Sequence, residues 1–169
     1  MSVPPPGVEI RPVTIDDLEV LIDIYLDTAR HHAAIDPEVW HVPSRAAVAD
    51  RIRPRIEGRG PTSDYVAAIV GDQMAGSAIV HLNDPPTEGS MLRTVRSAEF
   101  GVSVVEGFRG RGIGKALIAH LERWAADHGA ERMVLDVSAA NAGAIRLYHE
   151  LGYRDYDRAM LKPLTRQPA

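Results

Sequence analysis

Arg109-Gly110-Arg111-Gly112-Ile113-Gly114-Lys115 packs three cations and three glycines into seven residues. Apolar, mostly β-branched residues precede it: Phe100, Val102, Val104 and Val105. A helical stripe follows it, through Ile113, Leu117, Leu121 and Trp124 or Ala125. The pattern is a strand, a tight basic loop and a helix. Glycines at the mouth of a helix let a large anion reach the bare backbone N–H groups, and the helix dipole favours a phosphate there. Arg109, Arg111 and Lys115 add positive charge at the same spot.

Two familiar phosphate loops fail on spacing. A P-loop needs Gly-x-x-x-x-Gly-Lys-Ser/Thr; its first glycine would fall on Arg109, and Ala116 follows the lysine. A dinucleotide fingerprint needs Gly-x-Gly-x-x-Gly; begun at Gly110 it ends on Lys115, and begun at Gly112 it ends on Leu117. A third pattern, Arg/Gln-x-x-Gly-x-Gly/Ala, is met by Arg109, Gly112 and Gly114. It resembles the acyl-CoA pyrophosphate loop of the GNAT family of N-acetyltransferases. Downstream, Arg132–Val137 reads as a buried strand, and Asn141, Ala144, Ile145, Tyr148 and Gly152 fall at that family's spacing. The resemblance runs from about Val8 to Leu161 and is most specific from Val102 to Tyr153.

The resemblance implies an α/β acyl-CoA N-acyltransferase (GNAT) fold. Its central mixed sheet has an antiparallel meander leading into splayed parallel strands, flanked by helices. It implies acetyl-CoA as acyl donor and a primary amine as acceptor, with direct attack in a ternary complex. The backbone of Val102, Ser103 and Val104 would face the pantetheine arm, as a peptide adds to a sheet edge. A backbone N–H near Val104 would be the oxyanion donor. Gly110 and Ile113 complete the diphosphate loop, and Asn141 would hydrogen-bond the pantetheine, cap its helix, or do both. Tyr148 is the candidate general acid, since a phenol of pKa about 10 can protonate a leaving thiolate; otherwise it is a core aromatic. Glu99 and Asp136 are the candidate bases, the alternative for each being a surface or salt-bridged carboxylate. Aspartate at 136 stands where one branch of the family carries glutamate, so a water relay to the amine is expected.

Those residues need elements to hold them, and the chain supplies the order β-α-α-β-β-β-α-β-α-β. Val8–Arg11 is a first strand. Thr14 caps a helix whose apolar face is Leu18, Leu21, Ile22, Tyr25, Leu26 and Ala29, ended by His31 and His32. Neighbouring histidines on a helix point about 100° apart and do not chelate. Ser44 caps a second helix carrying Val48, Ile52 and Ile56, which Pro54 should kink or end. Trp40 and His41 between them either touch an acceptor or plug the gap. Tyr65–Val70 and Met74–Leu82 form a hairpin. Residues 83–96 are a long loop, a lid or a plain connection. Then come strand 97–105, the loop and its helix to about His128, strand 132–138, the Asn141 helix, and a last strand from Tyr153 to Leu161. One domain spans 8–162, with loose arms at 1–7 and 163–169.

Composition narrows the classes. The chain has 169 residues, enough for one core, and a formal net charge of −4, which argues against nucleic acid as a partner. It contains no cysteine, so disulfides, thiolate metal sites and a cysteine nucleophile are excluded, and no metal is expected. No apolar run reaches the ~18 residues of a membrane span. The N-terminus lacks a signal-peptide pattern, and a cytoplasmic location is expected. A homodimer is compatible with the resemblance. A small-molecule amine is the first choice of acceptor. The alternatives are a protein N-terminus or lysine, or a non-catalytic acyl-CoA sensor.

Overall fold

The structure is a computed structural model and describes residues 4–162. Five strands build one sheet in the order β1 (Val8–Pro12), β2 (Ser63–Val70), β3 (Gln73–Asn83), β4 (Ser97–Val104) and β5 (Arg132–Val134). The first four are antiparallel neighbours, and β5 runs parallel to β4. Gly71 and Asp72 make the β2–β3 turn, and Gly71 takes φ +59, which a residue without Cβ adopts at little cost. Side-chain alternation gives the sheet two apolar faces. Val66, Ala68, Ala78, Val80, Ala98 and Phe100 pack against helix α3 (Ile113–Asp127). Tyr65, Ala67 and Ile79 face helices α1 (Leu18–Ile35) and α2 (Arg45–Glu57). A short helix α4 (Ala142–Glu150) follows β5.

Three of these elements differ from their sequence signals. Ser44 caps α2 as expected, accepting the Ala47 N–H at 3.3 Å. Pro54 does not end α2: its missing N–H removes one bond, and the chain completes a further turn, with the Gly58 N–H returning to the Pro54 C=O at 2.8 Å. His31 and His32 do not end α1. Ala33 and Ala34 after them are strong helix formers, and the helix runs to Ile35, where Asp36 precedes Pro37 and leaves the helical region at φ −148. The third difference is β5, which stops at Val134 rather than reaching residue 138.

Tyr153–Leu161 forms no strand. Arg154, Asp155, Asp157 and Arg158 crowd this stretch with charge, and Tyr156 and Met160 stand 67% and 92% exposed. Tyr153 is anchored, its ring against Phe100 and its hydroxyl donating to Glu122 at 2.9 Å, and beyond it Asp155 meets His149 of α4 at 3.2 Å. Of the expected loose arms, residues 1–3 and 163–169 lie outside the described residues. Residues 4–7 are held: the Val8 N–H bonds Pro5 C=O at 3.0 Å, and Pro5 lies beside Gly112.

Two carboxylates lock the layers. Arg11 holds Asp17 with two 2.8 Å bonds, and Asp17 also accepts the Thr14 N–H, tying β1 to the start of α1. Asp64, buried on β2, takes Arg59 at 3.1 Å and the Tyr65 N–H at 2.9 Å, with His120 of α3 at 3.6 Å. Burial pushes the Asp64 carboxyl up, but His120, Arg59 and the Tyr65 N–H outweigh it and hold it below its ordinary value. A lowered folded pKa gives stability that is full above the unfolded value and lost as pH falls through the folded one. Asp64→Asn is therefore expected to cost about 1–3 kcal/mol near neutral pH. Thermal melts should show that gap closing as the pH drops below the ordinary carboxylate range of about 4.

Candidate active site

Strands β4 and β5 pair only as far as Glu99 and Val134. Beyond that point they part, and a cleft of about 940 Å3 opens between Gly101–Val104 on one side and Asp136 and Val137 on the other. The Val105 N–H is spent on Ala75 of β3 at 2.9 Å. Strand alternation then turns the backbone polar groups of Ser103 toward β3 and those of Val102 and Val104 toward the parted edge. Ser103 lines the cleft through its side chain, whose hydroxyl is hydrogen-bonded to Thr28 of α1 at 3.1 Å.

At one end of the cleft lies the glycine loop. Gly110 and Gly112 sit at φ +74 and +79, left-handed values that a Cβ would strain. Gly112 is the N-cap of α3 and offers no side chain, so the first N–H groups of the helix carry no cap. Arg109, Gly110, Gly112, Ile113, Gly114 and Lys115 all line the cleft. Arg109 is braced by its Nε, which donates to the Val104 C=O at 3.2 Å. Lys115 is paired with Glu150 of α4 at 2.9 Å. Arg111 is outside the lining and lies over the Phe108 ring, 5.3 Å from its centre. Arg146 of α4, which the sequence reading passed over, lines this region too.

Helix α4 closes the cleft from the side. Asn141 caps it by accepting the Ala144 N–H at 3.1 Å, and it also lines the cleft. Tyr148 lines the cleft beside it, with its ring edge-on to Phe100 at 6.1 Å and Tyr153 at 5.8 Å. Its hydroxyl has no protein hydrogen-bond partner among the described residues, and burial raises its pKa above the ordinary phenol value. Asp136 lines the cleft, whereas Glu99 does not. Glu99 shares a sheet face with Gly101 and pairs across β3 with His81, one step outside the lining. Of the two candidate bases, Asp136 is the one brought together with Tyr148.

At the other end the cleft runs beneath α1 and α2, lined by Tyr25, Thr28, His31, His32, Arg55 and Tyr65. Trp40 stays 42% exposed, stacks near His32 at 4.9 Å and is outside the lining, as is His41. Residues 83–96 contribute nothing to the lining either. Tyr25 and Tyr65 were legible only as apolar positions. Period-two alternation over Tyr65, Ala67 and Ile69 gives a face but not what that face meets. Among the described residues no group of His, Asp or Glu could hold a metal ion, and no helix is long and apolar enough to cross a membrane.

The model of the acetyltransferase (GNAT) family matches residues 21–153, which include the glycine loop, the parted strands and Tyr148. N-acetyltransferase 8 of Rattus norvegicus is 29% identical over 119 residues, covering 70% of this chain and 50% of that protein. An aminoglycoside N(6')-acetyltransferase type 1 of Salmonella typhimurium is 33% identical over 60 residues, covering 36% of this chain and 41% of the relative. The chain thus spans about half the length, or less, of these relatives. Among solved structures, a mutant of the BH1408 protein of Bacillus halodurans superposes with a TM-score of 0.84 at 21% identity, over 93% of this chain and 99% of that one. That likeness speaks for the fold.

Proposed function

Because the chain belongs to the GNAT acetyltransferase family, we propose that it transfers an acetyl group from acetyl-CoA to a primary amine by direct attack in a ternary complex. One observation carries this reading. A single cleft joins an uncapped, glycine-lined helix N-terminus to a parted sheet edge and then to a chamber under α1 and α2, with Tyr148 and Asp136 along its length. The unpaired N–H groups of the loop suit a diphosphate. The free edge of β4 suits an extended arm that carries amide groups. Acetyl-CoA supplies an activated acyl group as its thioester.

The residues then divide the work. The loop amides and Arg109 hold the diphosphate, which fixes where the thioester lies. The Val104 N–H, turned to the parted edge, donates to the carbonyl oxygen as negative charge grows on it. Asp136, through a water, takes the proton that the amine sheds as its nitrogen bonds to the carbonyl carbon. Tyr148 gives its phenolic proton to the sulfur as the carbon–sulfur bond breaks. A phenol is protonated at neutral pH even at its ordinary pKa of about 10, and burial of Tyr148 keeps it so. With no cysteine in the chain, an acyl-thiol intermediate on the protein has no nucleophile.

Acceptor-dependent release of free thiol from acetyl-CoA, assayed across a panel of small amines and peptides, tests the reading. Release with at least one small amine is the expected result. Coenzyme A binding with no release for any amine would instead favour a sensor.

A further inference from the structure

Arg55 enters the cleft from α2 and is half-buried. It has no hydrogen bond and no carboxylate within 4 Å among the described residues, unlike Arg11, Arg45 and Arg59, each of which holds an acidic side chain. Burial, and then the charge of Arg51, lower its pKa, while Tyr65 and Tyr25 offset part of this. A half-buried cation without a counter-ion is a cost that a bound anion removes. Nor does the chamber supply an anion of its own. His31 and His32 on the α1 wall carry no negative charge, burial lowering the His32 pKa, and Asp136 is the one carboxylate among the described residues of the lining. Glu99 lies beyond His81 on the same sheet face, outside ion-pair reach of Arg55.

From this geometry, and resting on the acyltransferase reading above, we propose that the acceptor is a small amine carrying an oxyanion, and that Arg55 is the residue that reads that oxyanion. A guanidinium presents a planar fork that matches a carboxylate or a phosphate with two parallel bonds. The tyrosines at 25 and 65 border the same end of the cleft and give the rest of the acceptor an aromatic wall. A polycationic acceptor, such as the aminoglycoside of the Salmonella relative, would meet Arg55 with no acidic group beside it, so it is a poor fit.

The test is thiol release from acetyl-CoA with matched acceptors. Each amino acid is compared with its α-amide and with the amine lacking the carboxyl group, and phosphoethanolamine is compared with ethanolamine. A tripeptide amide and an aminoglycoside complete the set. The acid should exceed its amide by roughly tenfold or more in kcat/KM for at least one pair, with the carboxylate and phosphate arms telling the two oxyanions apart. Arg55→Gln should reduce that acid-to-amide ratio by about tenfold, mainly through KM, and Arg55→Lys should restore part of it. Calorimetry with coenzyme A on the same variants guards against a loss of fold. Amides or cationic amines used as well as the acids, or a ratio unmoved by Arg55→Gln, would overturn the proposal. So would coenzyme A binding with no release for any oxyanion-bearing amine, a result that leaves the cofactor reading standing. Failure to bind coenzyme A at all would instead remove the reading beneath it.

Discussion

A Tyr148→Phe variant is expected to bind coenzyme A, to melt within about 0.5 kcal/mol of the parent, and to turn over roughly 100-fold more slowly. Its stability should hold because the phenolic hydroxyl has no protein partner to lose, while the ring keeps its contacts with Phe100 and Tyr153. The rate should fall because the departing sulfur loses its proton donor. Steady-state kinetics together with a thermal melt separate these effects. The pH profile adds a second readout. Burial raises the Tyr148 pKa, so the parent should show no alkaline loss from this group below its ordinary value of about 10. A variant as fast as the parent would return Tyr148 to the role of a core aromatic.

Gly112→Val is expected to weaken coenzyme A binding by roughly 30-fold or more, measured by calorimetry. Gly112 holds φ +79, and a Cβ there would also come within 3.2 Å of Pro5. A side chain in the left-handed region costs about 1–2 kcal/mol, and a β-branched one costs more. The free loop would relax away from that conformation, and binding would have to restore it at the same cost. Tenfold corresponds to about 1.4 kcal/mol, which sets the size of the expected loss. Affinity equal to the parent's would mean that the left-handed turn plays no part in binding.

The contrast between these positions and Arg55 shows what a sequence makes legible. The glycine loop is local: cation, left-handed glycine and helix start lie within seven residues, so spacing alone could test three phosphate loops and reject two. The apolar stripe of α3 was equally plain, and Ile113, Leu117, Leu121 and Ala125 are buried. Arg55 is different. It sits among Arg51, Arg53 and Arg59 in a basic stretch, and nothing in that run marks the one side chain that turns into the cleft. Only the packing of α2 over the Tyr65 face of the sheet singles it out. Tyr153–Leu161 failed for the opposite reason, since a strand needs a paired neighbour and β5 is three residues long. Glu99 stands on the face of Gly101 and Ser103, which do line the cleft, but one step further along β4 and outside the lining, a matter of where the cleft ends along the strand rather than of residue type.

The most direct measurement is a titration of the isotopically labelled protein with coenzyme A, following backbone amide resonances. The account predicts saturable shifts concentrated at Gly110–Lys115, with further shifts at Val102 and Val104 on the parted strand edge. Saturation with those amides unmoved, or no binding at all, would contradict it.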